Sequence, residues 1–229
     1  MNHSNQPRWY RRAVRAIPEH LLLKSIGITV FLSTFFSGYF YVLRHPPYPP
    51  TVMPATALDR LIGFEPMALP VYVSLWIYVC LLPAFFGTRR ELYRYGSAMT
   101  LMCVAGLSIF YFWPTAAPAP DIDWTKYPDM NFLKNIDASG NAFPSLHVAT
   151  ALFSGAWFHH LLLRFEAPAW TRLFNWAWCT AIIYSTLAIR QHVVVDVAGG
   201  LVLGAVTAWL SLRHHRYSEL SGLAGRPAR

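Results

Sequence analysis

The chain has 229 residues, of which 55% are hydrophobic, 16% aromatic and 13% charged, with a formal net charge of +8. A soluble domain carries about 25% charged residues, so this composition excludes a disordered chain, a coiled coil and an ordinary cytosolic enzyme. Cys80, Cys103 and Cys179 lie inside apolar runs without C-x-x-C spacing; they make no disulfide framework and are read as small hydrophobes.

The apolar residues fall into six runs, residues 25–43, 69–86, 97–113, 145–163, 173–189 and 193–212, each of 17 to 20 residues. A membrane-crossing helix needs roughly 20. The expected fold is therefore all-α, a polytopic membrane protein built as a six-transmembrane-helix bundle. Residues 1–24 are expected to form a basic N-terminus, 25–212 the membrane domain and 213–229 a tail. With the N-terminus inside, 14 of the 19 Lys and Arg residues fall on the inner side and 5 on the outer, the positive-inside pattern. Both termini are expected in the cytoplasm. The positive charge then needs no nucleic-acid partner. The first span is expected to be retained, because Ala55-Thr56-Ala57 lies a dozen residues past its end, too far for a signal-peptide cleavage site.

Two outer segments stand apart. Residues 45–54, HPPYPPTVMP, favour extended polyproline geometry. Residues 113–143 form the longest loop and carry Asp121, Asp123, Asp129 and Asp137, at spacings that match no calcium loop.

Asp196 is the one Asp, Glu, Lys or Arg within the six runs, and an ionisable residue inside the membrane is a functional-site hypothesis by default. His192 precedes it by four positions. On one helix face the carboxylate would accept one imidazole N–H and leave the other nitrogen as base or nucleophile; the alternative is a structural pin between helices. Chain topology brings His147, three residues into the fourth run, to the same membrane face as His192. Phe143-Pro144-Ser145-Leu146-His147 reads as a helix start capped by Ser145, whose open N–H groups would cradle an anion. Arg190 is a candidate for phosphate oxygens or an interfacial anchor. Gly199, Gly200 and Gly204 suit close helix packing. His3, His20, His45, His159, His160, His214 and His215 are assigned no role. No metal site and no cofactor are expected.

These residues resemble the type-2 phosphatidic acid phosphatase superfamily, which has a six-helix membrane core and the motifs P-S-G-H and S-R-x5-H-x3-D. Pro144-Ser145-Leu146-His147 matches the first with leucine for glycine. Ser185, His192 and Asp196 match the second at the right spacing, with Thr186 in place of arginine. The family's K-x6-R-P motif has only residues 113–118, WPTAAP, near its place. Those departures resemble the inositol phosphorylceramide synthase-like branch. The resemblance implies metal-free phosphoryl transfer: His192 as nucleophile oriented by Asp196, His147 as acid and then base, and Ser145, Leu146, Ser185 and Arg190 around the phosphate. Lys126 or Lys134 would add charge.

The expected function is hydrolysis of a phospholipid or polyprenyl (di)phosphate at the outer face of a bacterial inner membrane, the site facing the periplasm. The alternative is a phosphotransferase acting on an alcohol such as inositol or ceramide. A proton-coupled transporter would need polar residues along several spans, and none beyond Asp196 is evident; an intramembrane serine protease would crowd Ser145 against His147. The expected partners are a membrane lipid phosphate and the bilayer, with a homodimer as a further option.

Overall fold

The computed structural model describes residues 9–128, 130 and 140–224, with side chains described as far as residue 213. Helices α1 (Trp9–Ala16) and α2 (Leu21–Arg44) come first. Strand β1 (Thr51–Val52) and the short helix α3 (Ala57–Leu61) follow. Helix α4 (Leu69–Leu81) lies between two 3-10 turns, Pro66–Ala68 and Leu82–Phe85, and α5 is Arg89–Phe112. After strand β2 (Thr115–Ala116) and a 3-10 turn at Trp124–Lys126 come α6 (Leu146–Arg164), α7 (Ala169–Ala188) and α8 (Val194–Ala224).

The six expected runs each become a helix. Leu21–Arg44, Pro66–Phe85, Arg89–Phe112, Leu146–Arg164 and Val194–Arg213 are long and apolar enough to cross a membrane. The expected count of six rests on α7. Its 20 residues give about 30 Å of rise, sufficient in length, but Thr171, Arg172 and Asn175 make it more polar.

Helix α6 occupies the centre, packed against α8 and α7, while α4 contacts α7 and α6, and α5 contacts α8 and α2. Phe86, Phe153, Trp157, Leu75 and Ile182 fill the shared core. Glycines set the α6–α8 approach. A Cβ on Gly200 would stand 2.4 Å from the Ser145 carbonyl oxygen, and one on Gly204 2.6 Å from that of Ala149. The close packing expected of Gly200 and Gly204 is therefore present, and Gly199 similarly accommodates the Phe143 ring.

Polar groups inside the bundle are not confined to Asp196, contrary to expectation. Tyr78 donates to Asn175 Oδ1 at 2.7 Å and Asn175 Nδ2 donates to the Gly155 carbonyl at 3.0 Å. Tyr95 and Ser154 share a hydroxyl pair at 3.0 Å. Apolar periodicity hid these groups because each is neutral and paired across helices. Such bonds contribute about 1 kcal/mol apiece.

The bundle has two unlike ends. At one, Thr88 and Glu91 form a capping box that starts α5, and Glu91 pairs with Arg164. The buried Lys24 donates to the carbonyls of Ala16 at 2.7 Å and Ala84 at 2.9 Å, and Arg12 meets Glu166 at 2.9 Å. At the other end, β1 and β2 pair in parallel with Thr51 opposite Thr115, and Ala116 bridges antiparallel to Gly140. This patch covers the start of α6: Thr115 Oγ1 accepts the Phe143 N–H at 2.8 Å. Its apolar side packs Met53, Ala117 and Ala142 on Val193.

Candidate active site

At the β-covered end the starts of α6 and α8 meet. Ser145 caps α6 as expected, its hydroxyl oxygen accepting the Val148 N–H at 3.3 Å. The Ser145 N–H donates to the carbonyl of Asp196 at 3.0 Å. This corrects the expected anion cradle, since the Ser145 N–H is already committed. Leu146 and His147 are the first two helical residues, so helix geometry leaves their N–H groups without an intrahelical acceptor.

His147 is buried and stacks on the Tyr72 ring, with centroids 3.9 Å apart and planes 9° from parallel. Its Nε2 lies 3.1 Å from the Tyr72 carbonyl oxygen. A carbonyl only accepts, so Nε2 carries a proton and Nδ1 is the nitrogen left to exchange one.

His192 precedes α8 by two residues and so does not share a helix face with Asp196 as the spacing suggested. Asp196 sits in the first turn of α8, fully buried. There its Oδ2 accepts the Val193 N–H at 3.0 Å, as an acidic side chain does at a helix start. His192 Nδ1 is 3.5 Å from the same Oδ2. Both His192 Nδ1 and Asp196 Oδ1 are buried without a hydrogen-bond partner among the described residues. A small imidazole shift would close this contact, and catalytic hydrogen bonds commonly tighten only when substrate is bound.

His147, His192 and Leu146 line one cavity of about 500 Å³, together with Tyr72, Trp76 and Asn141. Its wall is overwhelmingly apolar. Two distant histidines and a buried carboxylate thus meet beside a space suited to an apolar molecule carrying one small polar group. Leu146 packs against Gly106 of α5, where a Cβ would lie 2.5 Å from its side chain. The glycine provides the room that the bulkier motif residue takes.

Two other candidates are committed elsewhere. Arg190, at φ 62°, donates through Nη1 to the Asp59 carbonyl at 2.7 Å and through Nη2 to that of Ile62 at 2.6 Å. It clamps the end of α3 rather than facing the cavity with both terminal nitrogens free. The buried Ser185 donates its hydroxyl to the Ile182 carbonyl within its own helix at 2.6 Å. Asp123 accepts from the Thr125 hydroxyl and N–H, which hold its carboxyl below the usual range. That aspartate shapes a turn, and Lys126 lies beside it at 3.6 Å. Asp129, Lys134 and Asp137 lie outside the described residues.

Sequence reasoning missed Asp59. Buried at the start of α3, it accepts the Thr56 N–H and hydroxyl through Oδ2, both at 2.7 Å. Its Oδ1 accepts the Val194 N–H at 2.8 Å. The Thr56-x-x-Asp59 pattern was a legible capping signal, but nothing in it pointed to residue 194.

The fold and site define a bundle of apolar helices carrying a paired-histidine centre at one end. Residues 68–219 match the PAP2 superfamily, and the chain belongs to that family. Its members are generally phosphatases or phosphotransferases. Neither the curated proteins nor the solved structures gave a match.

Proposed function

We propose that the protein is a metal-independent lipid phosphate phosphatase embedded in the bilayer. The observation that carries this reading is the shared cavity: His147 and His192 line one apolar space of about 500 Å³, with the Asp196 carboxylate 3.5 Å behind His192. Because Nδ1 of His192 faces Asp196, Nε2 is the attacking nitrogen. It forms a bond to phosphorus as the bond to the lipid oxygen breaks. His147 in its imidazolium form keeps Nε2–H on the Tyr72 carbonyl and delivers the Nδ1 proton to the leaving oxygen. In the second step His147 Nδ1 takes a proton from water, which attacks phosphorus and releases phosphate and His192. The N–H groups of Leu146 and His147 are the nearest preorganised donors for the developing charge. Arg190 and Ser185 act on the scaffold around the phosphate.

A second reading is transfer of the phospho-headgroup to an alcohol, inositol or ceramide among them, as in the inositol phosphorylceramide synthase-like branch. The limited access of water favours it, the His192 side chain being 9% exposed. The clustering of Lys24, Arg12 and Arg164 at the end away from the histidines supports cytoplasmic termini and a periplasmic site in a bacterial inner membrane. A panel of lipid phosphates and diphosphates offered to the purified protein, following inorganic phosphate and transferred headgroup with and without added alcohol, tests both readings. Phosphate release independent of alcohol supports the phosphatase; alcohol-dependent phosphodiester formation supports the transferase; neither product from any lipid contradicts both.

A further inference from the structure

Helix α2 stands at the margin of the bundle. No residue of its 18-residue apolar window is fully buried, whereas 56% of the corresponding window of α6 is. Between α2 and α5 runs a second, larger groove of about 970 Å³, walled by Phe31, Val79, Pro83 and Met99 and also lined by Arg90 and Arg94. The two arginines lie in the first two turns of α5, at the end away from the histidines. Gly27 and Gly96 line the groove from its two sides, and a Cβ on either would meet nothing within 4 Å. The space there is open rather than filled by side chains.

The dimensions choose the occupant. Along α5 the groove extends from Arg90 to Thr100, about 15 Å of helix rise. That is half of a hydrocarbon core of roughly 30 Å, the depth of one leaflet. A basic rim above an apolar slot of one-leaflet depth matches a lipid with an anionic headgroup. Arginine binds phosphate oxygens through paired N–H donors, and the start of α5 adds the positive end of its helix dipole.

We propose that this groove binds an anionic phospholipid from the leaflet opposite the histidines, its headgroup on Arg90 and Arg94 and its chains between α2 and α5. The site is separate from the catalytic cavity and does not depend on the reaction assigned there. Phe31, Leu32, Val79 and Met99 border both spaces, so the chain ends of the bound lipid abut the wall of the histidine cavity.

The test uses the full chain reconstituted in phosphatidylcholine vesicles with trace spin-labelled phosphatidylglycerol or spin-labelled phosphatidylcholine, reading the motionally restricted fraction. The expected result is a preference of about tenfold or more for phosphatidylglycerol, as two basic contacts provide. Arg90→Gln with Arg94→Gln should level the two lipids. Gly96→Leu, and on the facing wall Gly27→Leu, should each reduce restricted phosphatidylglycerol by filling the slot. Arg89→Gln and His147→Ala should leave the preference intact. Equal retention of both lipids by the unmodified protein would overturn the proposal. So would loss of preference in Arg89→Gln, displacement of the lipid by soluble glycerol phosphate, or unchanged binding in both glycine variants.

Discussion

The Asp59 carboxylate accepts the backbone N–H of Val194, 135 positions away, at 2.8 Å. Arg190 returns the connection by donating to the Asp59 and Ile62 carbonyls. The link that carries His192 is thus bolted at both ends to the short helix α3. Asp59→Asn keeps the shape but replaces one acceptor oxygen with a donor facing the Thr56 N–H. Turnover should fall about tenfold, equivalent to about 1.4 kcal/mol of misplacement, with KM nearly unchanged. Steady-state kinetics on the purified variant, alongside its melting temperature, checks this. A change confined to KM would remove the positioning role of Asp59.

Helix approach at the site should be intolerant of a single methyl group. Alanine at Gly200 puts its Cβ 2.4 Å from the Ser145 carbonyl, which is held by the Ala149 N–H at 3.0 Å. The helices must part, at a cost of about 1–3 kcal/mol. Gly27→Ala meets nothing within 4 Å and should be neutral or stabilising by up to about 1 kcal/mol, alanine being the better helix former. Thermal melts of both variants in the same detergent give the comparison.

Removal of either histidine should stop turnover while the protein still inserts. Without His147 the leaving oxygen and water lose their proton carrier, worth about 10²- to 10⁴-fold. Without His192 the covalent route is lost altogether. Asp196→Asn should fall between the unmodified protein and His192→Ala, because asparagine can still accept the Val193 N–H but no longer stabilises a charged imidazole. Phosphate release by each variant at matched expression is the measurement.

Chelation should leave the reaction unchanged. Among the described residues no three His, Cys, Asp or Glu side chains converge as a metal set, and the proposed steps use nitrogen nucleophile, proton carrier and N–H donors alone. Activity after exhaustive EDTA treatment should match the untreated protein. Loss restored by zinc or magnesium would require a different mechanism.

The helices were legible because long apolar runs offer few alternatives in a bilayer, and most of their ends shifted by only a few residues; α5 begins at Arg89 and not at 97, and α8 runs on to Ala224, into the expected tail, and not to 212. The polar turn from Arg89 to Gly96 concealed that start, although Thr88 and Glu91 marked it as a capping box. His147, His192 and Asp196 were singled out from spacing and topology, and the structure brings the two histidines to one cavity with Asp196 behind His192. The details between them were not legible. Asp196 binds its own helix start, Arg190 folds onto α3, and the Ser145 N–H is taken by α8. The first is a local cap that the helical reading of the run obscured, and the last two depend on tertiary partners far away in the chain. The polarity of α7 has the same origin: Asn175 is satisfied by Tyr78 and Gly155, neither identifiable from the run itself.

The most direct measurement is to trap the phosphorylated intermediate. The purified protein is mixed briefly with lipid phosphate labelled at phosphorus, quenched in alkali and digested for peptide mapping. Alkali-stable, acid-labile label should appear on His192 and be absent from His192→Ala. Label on another residue, or turnover of the labelled lipid with no phosphorylated protein at any quench time, would contradict it.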